Sequence, residues 1–276
     1  MSITGSGTRA DPYVVTTWDE LASKVSETGV YIKIGNDIDL NNEYPEGLTS
    51  GLTVNCAQID GDGKTVKNLY LQSGALITCS GRNSTWKNAE LLYLKIGNGS
   101  DAASITANGS TSGTFTFNHC KLSGRLNGGS GSSKASFLAK SGRIKFYRCS
   151  LEMQMTANTS TIDMSGDWRN CCTMEYCNVD FSGETDKTLN IVLVNSCIKG
   201  SLASATLTAT RYPDGQVSVY STLDISAAAY TANSATNMVL ANSDKCSSIG
   251  QYLTSVTTEQ LNDAEYLDSI NFEIQT

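Results

Sequence analysis

The chain has 276 residues, a formal net charge of −7 and only 17% charged residues. Its basic residues are scattered rather than clustered, which argues against a nucleic-acid partner. No run approaches the roughly 18 apolar residues of a membrane-spanning helix, so no membrane insertion is expected.

Met1-Ser2-Ile3-Thr4-Gly5-Ser6-Gly7 has neither a basic region nor an apolar core, so no signal peptide is expected. The first regular element is a short helix over Thr17 to Glu27. Thr17 is placed to cap it, Glu20 completes a capping box, Leu21 and Val25 form its apolar face, and Gly29 ends it. Tyr31-Ile32-Lys33-Ile34 and Asp37-Ile38-Asp39-Leu40 then alternate as strands. Ile59-Asp60-Gly61-Asp62-Gly63-Lys64 reads as an Asp-Gly turn between strands.

Beyond it a fragment recurs: an apolar residue, two polar residues, a cysteine and, two places on, another apolar residue. It reads Phe117-Asn118-His119-Cys120-Lys121-Leu122, Phe146-Tyr147-Arg148-Cys149-Ser150-Leu151 and Met174-Glu175-Tyr176-Cys177-Asn178-Val179, with a shortened variant at Val194-Asn195-Ser196-Cys197-Ile198. The cysteines are 29, 28 and 20 residues apart, a period that marks one supersecondary unit stacked on copies of itself. Val66-Lys67-Asn68-Leu69-Tyr70-Leu71 and Trp86-Lys87-Asn88-Ala89-Glu90-Leu91 fit the template, and Val219-Tyr220-Ser221-Thr222-Leu223 fits the variant. The slot residues Leu69, Ala89, Cys120, Cys149, Cys177, Cys197 and Thr222 are small to medium, as an inward row in a narrow stacked interior requires. Two polar residues between inward apolar ones imply a tight bend, with Asn at 68, 88, 118 and 195 suited to a left-handed conformation. Stacking at about 4.8 Å gives on the order of eight coils and a length of roughly 40 Å. Asn127 to Ser133 is a flexible Gly/Ser loop. At the far end Thr257 or Thr258 opens a second helix through Leu261, Ala264 and Leu267, and Phe272-Glu273-Ile274 closes the chain. The expected fold is thus all-β: a solenoid with short capping helices at both ends. Residues 1–50 form an attachment segment and cap, 51–250 the coils, and 251–276 the second cap.

Nine cysteines, an odd number without any Cys-x-x-Cys, read as reduced, packed thiols. Cys171-Cys172 near Cys177 has metal-like density but reads as a strand with alternating faces. No metal or cofactor is expected. Glycoside cleavage needs two carboxyl groups about 5–10 Å apart. Glu152, Asp163, Asp167, Glu175 and Asp180 fall in successive coils, which would allow some to share a face, but no local motif makes any of them catalytic. His119 lies on a bend with no identified partner. No catalytic, cofactor-binding or metal-binding residue is assigned. Trp86 is expected to point inward like Phe117, and Trp168 is a further aromatic weighed for contact. Tyr147 and Tyr176, in the outward bend, are the candidate contact residues.

Gly5-Ser6-Gly7-Thr8-Arg9-Ala10-Asp11-Pro12-Tyr13-Val14-Val15, Trp18-Asp19-Glu20-Leu21 and Gly35-Asn36-Asp37-Ile38-Asp39-Leu40 resemble the start of right-handed parallel β-helix proteins of the pectate-lyase-like superfamily. Ile59 to Leu69 resembles the first complete coil of that superfamily, and Glu259 to Leu267 with Asn271-Phe272 its closing helix and strand. The nearest variant is that of tailed-phage and prophage structural genes. The resemblance implies a right-handed parallel β-helix. It further implies a non-enzymatic virion protein (head fibre, capsid decoration or tail-associated), assembled in the cytoplasm of a bacterial host and released by lysis. The expected partners are capsid or tail proteins, reached through Ser2 to Tyr13, and identical copies, most simply a homotrimer. A host-surface glycan is a further partner. The alternative is a polysaccharide-degrading β-helix enzyme, a tailspike-like lyase or glycoside hydrolase. A bacterial surface adhesin is the third reading.

Overall fold

Strands alternate with tight bends along the chain. The structure, a computed structural model, describes residues 3–71, 74–79, 82–97, 102–107, 113–127, 135–139, 143–155, 159–163, 172–175, 177–183, 190–194, 196–199, 207–211, 217–221, 239–242, 253–261 and 263–269. In chain order the elements begin with β1 (Tyr13–Val15), α1 (Trp18–Val25), β2 (Tyr31–Ile34), β3 (Ile38–Asp39), α2 (Leu40–Glu43) and β4 (Leu52–Val54). There follow β5 (Gln58–Lys67), β6 (Tyr70–Leu71), β7 (Ala75–Cys79), β8 (Ser84–Gly97), β9 (Ala102–Ala107), β10 (Thr114–Asn118), β11 (Lys121–Asn127) and β12 (Ala135–Ala139). Next come β13 (Arg143–Tyr147), β14 (Ser150–Met155), β15 (Thr159–Asp163), β16 (Cys172–Glu175), β17 (Asn178–Gly183), β18 (Asn190–Val194) and β19 (Ser196–Lys199). The last are β20 (Leu207–Arg211), β21 (Val217–Ser221), β22 (Val239–Asn242), β23 (Leu253–Val256), α3 (Thr258–Leu261) and α4 (Ala264–Ser269).

The pairing is overwhelmingly parallel. One ladder runs β1, β2, the start of β5, the start of β8, then β10, β13, β16 and β18. A second runs β3, the end of β5, the second half of β8, then β11, β14, β17, β19, β22 and β23. A separate sheet stacks β4, β7, β9, β12 and β15. Parallel neighbours need a long crossover. Here strands of the other ladders and the bends between them supply it. The chain is therefore all-β with mostly parallel strands and a few short helices. Val219 to Ser221 departs from the repeat: β21 pairs antiparallel with β20 and β18.

The inward faces read as columns. Ile32, Ile59, Trp86, Phe117 and Phe146 lie side by side in the first ladder, all fully buried. Phe117 stacks on Phe146 with ring centroids 5.0 Å apart, and Trp86 on Phe117 at 6.4 Å. Val66, Leu91, Leu122 and Leu151 form the matching buried column of the second ladder.

Ala89, Cys120, Cys149 and Cys177 form one buried row, as the template requires. Two expected members do not belong to it. Leu69 is buried, but Val66 lies beside Leu91 and Leu71 beside Ile96, so its fragment sits one corner further along the chain. The cause is a bulge between Asp60 and Lys64, after which Lys64 falls opposite Ala89. Cys197 pairs with Asn178, not Cys177. Leu193 lies beside Met174 and Ile198 beside Val179, so Ser196 takes the register opposite Cys177. The apolar pair sets the register, and the cysteine does not. Thr222 lies outside the described residues.

Both ends carry helices. Thr17 accepts from Glu20 N–H at 3.3 Å, but the Glu20 carboxylate returns to Thr16, accepting from its N–H at 2.7 Å and its hydroxyl at 2.9 Å. Trp18, Leu21 and Val25 are the buried face of α1. The helix stops on Ser26, and Gly29, with φ +75°, serves the turn beyond it. The strand expected over Asp37 to Leu40 is cut to β3 because Asp39 caps α2, accepting from Asn41 N–H at 3.1 Å. Thr257 and Gln260 make a reciprocal capping box at 2.8 and 3.2 Å. The helix expected through Leu267 is split, because Asp263 caps α4 by accepting from the Glu265 and Tyr266 N–H groups. The Gly/Ser loop beyond Asn127 and the strand at Phe272 to Ile274 lie outside the described residues.

The segment before β1 is folded against the sheet. Thr4 pairs with Val14, and Gly7 C=O accepts from Tyr31 N–H at 2.9 Å. Gly5 has φ +87°, and a Cβ there would sit 2.0 Å from Pro12 C=O. The loop thus covers the edge of β1, the position at which an open sheet invites further pairing.

Candidate functional site

The bends joining the first ladder to the second carry the exposed chemistry. In each, the residue before the slot is left-handed: Asn88, His119 and Arg148, all at φ +53°. Asn68, at +61°, makes the equivalent turn one corner further on. Asn118 is thus not the bend residue. It ends β10 and His119 turns the chain, while Asn195 lies outside the described residues. The left-handed region costs an L-residue about 1–2 kcal/mol, least for Asn.

A bend interrupts the ladder, and the slot thiols bond to main-chain carbonyls beside it. The Cys120 S–H donates to Trp86 C=O at 3.3 Å, that of Cys177 to Phe146 C=O at 3.5 Å, and that of Cys149 to Tyr147 C=O at 3.4 Å. Cys56, Cys79, Cys120, Cys149 and Cys177 are free and buried. Burial pushes Cys56 up to about 12 and holds Cys79, Cys120 and Cys149 well above the usual thiol range. The thiols of Cys56, Cys79, Cys120 and Cys149 therefore stay protonated at neutral pH and are packing groups.

Along the bends runs a groove of about 450 Å³. Asn88, His119 and Arg148 line it from the bend column, and Glu90, Lys121 and Ser150 from the strand starts just beyond the slot. The latter three are register neighbours on adjacent strands. Tyr147 is half-buried beside the groove. Its ring meets His119 edge-to-face at 6.4 Å, with Lys145 Nζ 5.4 Å and Arg148 Cζ 5.3 Å from its centre. His119 does have partners: Tyr147, and Asn118, whose Oδ1 lies 2.5 Å from Nδ1. Tyr176, the other expected contact residue, lies outside the described residues.

The carboxylates weighed from the sequence separate. Asp60 is structural: it accepts from Asp62 N–H at 3.0 Å and Asn88 Nδ2 at 3.2 Å, and pairs with Lys87 at 2.9 Å. Burial penalises its charge, but Lys87 and these donors outweigh that and hold it below the ordinary carboxylate range. Asp62 pairs with Lys33 at 2.9 Å. Glu152 and Asp180 are register neighbours on β14 and β17. Glu175 instead lies beside Tyr147 in the other ladder, and Asp163 beside Ala139 in the separate sheet. Asp167, Trp168 and Cys171 lie outside the described residues, and Cys172 sits in β16 between Ile144 and Ile191. Among the described residues no group of His, Cys, Asp and Glu could hold a metal ion. Trp86 is fully buried, as expected.

Lys121, Arg148, Glu90 and Ser150 were not singled out by the sequence. The signal was present: reading the template column by column, the residues before and after the slot must flank every bend.

No protein-family model matches the chain, and no curated protein matches it. Among solved structures it is similar to the crystal structure of a putative immunoglobulin A1 protease from Bacteroides ovatus, at 15% identity and a TM-score of 0.49, over 97% of this chain and 90% of that one.

Proposed function

We propose that the chain is a right-handed parallel β-helix whose three sets of parallel strands are the faces of successive coils. We further propose that it serves as a non-enzymatic structural protein of a bacteriophage virion, as head fibre, capsid decoration or tail-associated component. The observation that carries this reading is the continuous register Ile32, Ile59, Trp86, Phe117, Phe146, which advances one strand per repeat. A stack of that kind is a stiff spacer that presents the same lateral positions at each level. Such faces suit association with identical copies, a trimer being the simplest closed form, and the folded loop before β1 suits end-on docking to capsid or tail. The buried free thiols accord with assembly in a reducing cytoplasm. Mass spectrometry of purified particles tests the proposal. The chain should be present in a fixed copy number, a multiple of three. Its absence from particles of a phage that encodes it contradicts the reading.

One observation favours a second reading, a polysaccharide-cleaving enzyme. Glu152 and Asp180 are register neighbours on adjacent parallel strands, and a pair of carboxyl groups is what glycoside cleavage needs. Under that reading Glu152→Gln abolishes release of reducing sugar from a host polysaccharide. If no such release occurs with the unaltered chain, the second reading fails.

A further inference from the structure

We propose that the loop before β1 is an exchangeable strap: residues 3–7 of one copy leave the edge of their own β1 and take the same place on β1 of a second copy, joining two chains head to head. This inference does not depend on the virion reading.

The first support is how lightly the strap is held. Main-chain bonds tie it to the sheet from Val14 N–H to Thr4 C=O and from Tyr31 N–H to Gly7 C=O, both at 2.9 Å. Ile3 is half-buried against the core and Gly7 is buried, but Thr4, Gly5 and Ser6 between them are exposed. Little burial is lost when such a segment lifts, and the same contacts are regained in trans.

The second support is the hinge. Its bonds are internal: Ser6 N–H and Thr8 N–H both reach Asp11 C=O at 3.1 Å, and Asp11 N–H reaches Thr8 Oγ1 at 3.2 Å. Thr8 and Asp11 are exposed, so water replaces these bonds when the turn straightens. Pro12 follows at once and biases Asp11 toward an extended conformation. Straightened, residues 8–12 span roughly 17 Å, enough to carry the strap off its own edge.

The third is fit. β1 is Tyr13-Val14-Val15, with neither a charge nor a bulge to blunt its edge, so a strand must cover it. Gly7 is left-handed at φ +75°, and a Cβ there would lie 2.4 Å from Tyr13 Cε2. The Tyr13 ring also has Lys24 Nζ 4.4 Å from its centre. An occupant therefore needs glycine at that point, which a second copy's strap supplies. Direct pairing of two bare β1 edges is the weaker candidate. The first 50 residues hold eight acidic and three basic side chains, so closely apposed ends repel, whereas a strap reaches across.

Positions 4 and 14 face each other across the strap, which makes exchange measurable by disulfide trapping. Full chains carrying Thr4→Cys are mixed with full chains carrying Val14→Cys and oxidised, with each variant alone as background. Both substitutions in one chain report the closed strap. The double variant should cross-link within its chain. The mixture should form a disulfide between positions 4 and 14 of different chains, identified by peptide mass spectrometry, in a yield that rises with chain concentration. Adding Gly7→Val to the Thr4→Cys chain should cut that yield by about tenfold or more. Deleting Arg9 and Ala10 shortens the hinge so that the strap no longer folds back, and should double the mass of the assembly by light scattering. Cross-linking in the double variant but none in the mixture overturns the proposal, as does a double variant that does not cross-link. A deletion variant with the mass of the unaltered chain overturns it too.

Discussion

The repeats from β2 to the start of β8 and those from β8 to β14 share one register but are held in it differently. In the earlier region the outer surface is stitched from strand to strand: Lys33 to Asp62, Lys67 and Asn68 to Asp39, Lys87 and Asn88 to Asp60, and Thr65 N–H to Asp37. The inner column there is aliphatic, Ile32 and Ile59. In the later region the inner column is Trp86, Phe117 and Phe146 in a stack, backed by the thiol row, and the bends outside carry cations and a histidine. An aromatic stack supplies large dispersion and burial terms without polar side chains. One register is thus held by outer polar pairs in the earlier region and by an inner aromatic stack in the later one.

Breaking the interior of the later region should have the largest effect. Cys149→Arg places an unpaired charge in a fully buried slot and should cost several kcal/mol, enough to prevent a cooperative melt. Phe117→Ala removes a ring that contacts Trp86, Phe115 and Phe146, and should cost about 3–5 kcal/mol by denaturant titration. Next is close backbone approach. A Cβ at Gly124 would lie 2.3 Å from Leu94 C=O, so Gly124→Ala should cost about 1–3 kcal/mol through strand displacement.

The outer stitches of the earlier region are smaller and depend on pH. The folded state holds Asp39 and Asp60 below their ordinary values. Asn68 is the main cause at Asp39, and Lys87 and its fellow donors outweigh burial at Asp60. Their stabilisation is therefore fully present above the unfolded value of about 3.9 and is lost as pH falls through the lower folded value. For the half-buried Asp60 it amounts to about 1 kcal/mol or less. Asp60→Asn should flatten the pH dependence of the melting temperature below about pH 5, while Phe117→Ala should leave its shape unchanged. The smallest effect should be a gain: His119→Asn relieves left-handed strain and should stabilise by up to about 1 kcal/mol.

The repeat was legible in the sequence because inward positions admit few residue types. Trp86, Phe117, Phe146 and the row Ala89, Cys120, Cys149, Cys177 fall where the template puts them. What misled was matching on cysteine identity: Cys197 sits one position out because Leu193 and Ile198 set the pairing. Leu69 was misplaced because the extra residues between Asp60 and Lys64 shift the frame, and a bulge of that kind leaves no periodic trace. The site was less legible. Tyr147 was found as an outward aromatic, but Lys121 and Arg148 become neighbours only through stacking, across about 30 residues of chain.

Spin-label distances across the first ladder test the stacked register most directly. Lys33, Asp60, Lys87, Asn118 and Tyr147 occupy one outward column on successive strands. Nitroxides at Lys33 and, in turn, at Lys87, Asn118 and Tyr147 should give separations rising by about 4.8 Å per strand after the first pair. A Lys33 to Tyr147 distance equal to or shorter than the Lys33 to Asn118 distance would contradict the stacked register, and with it both the spacer and the groove.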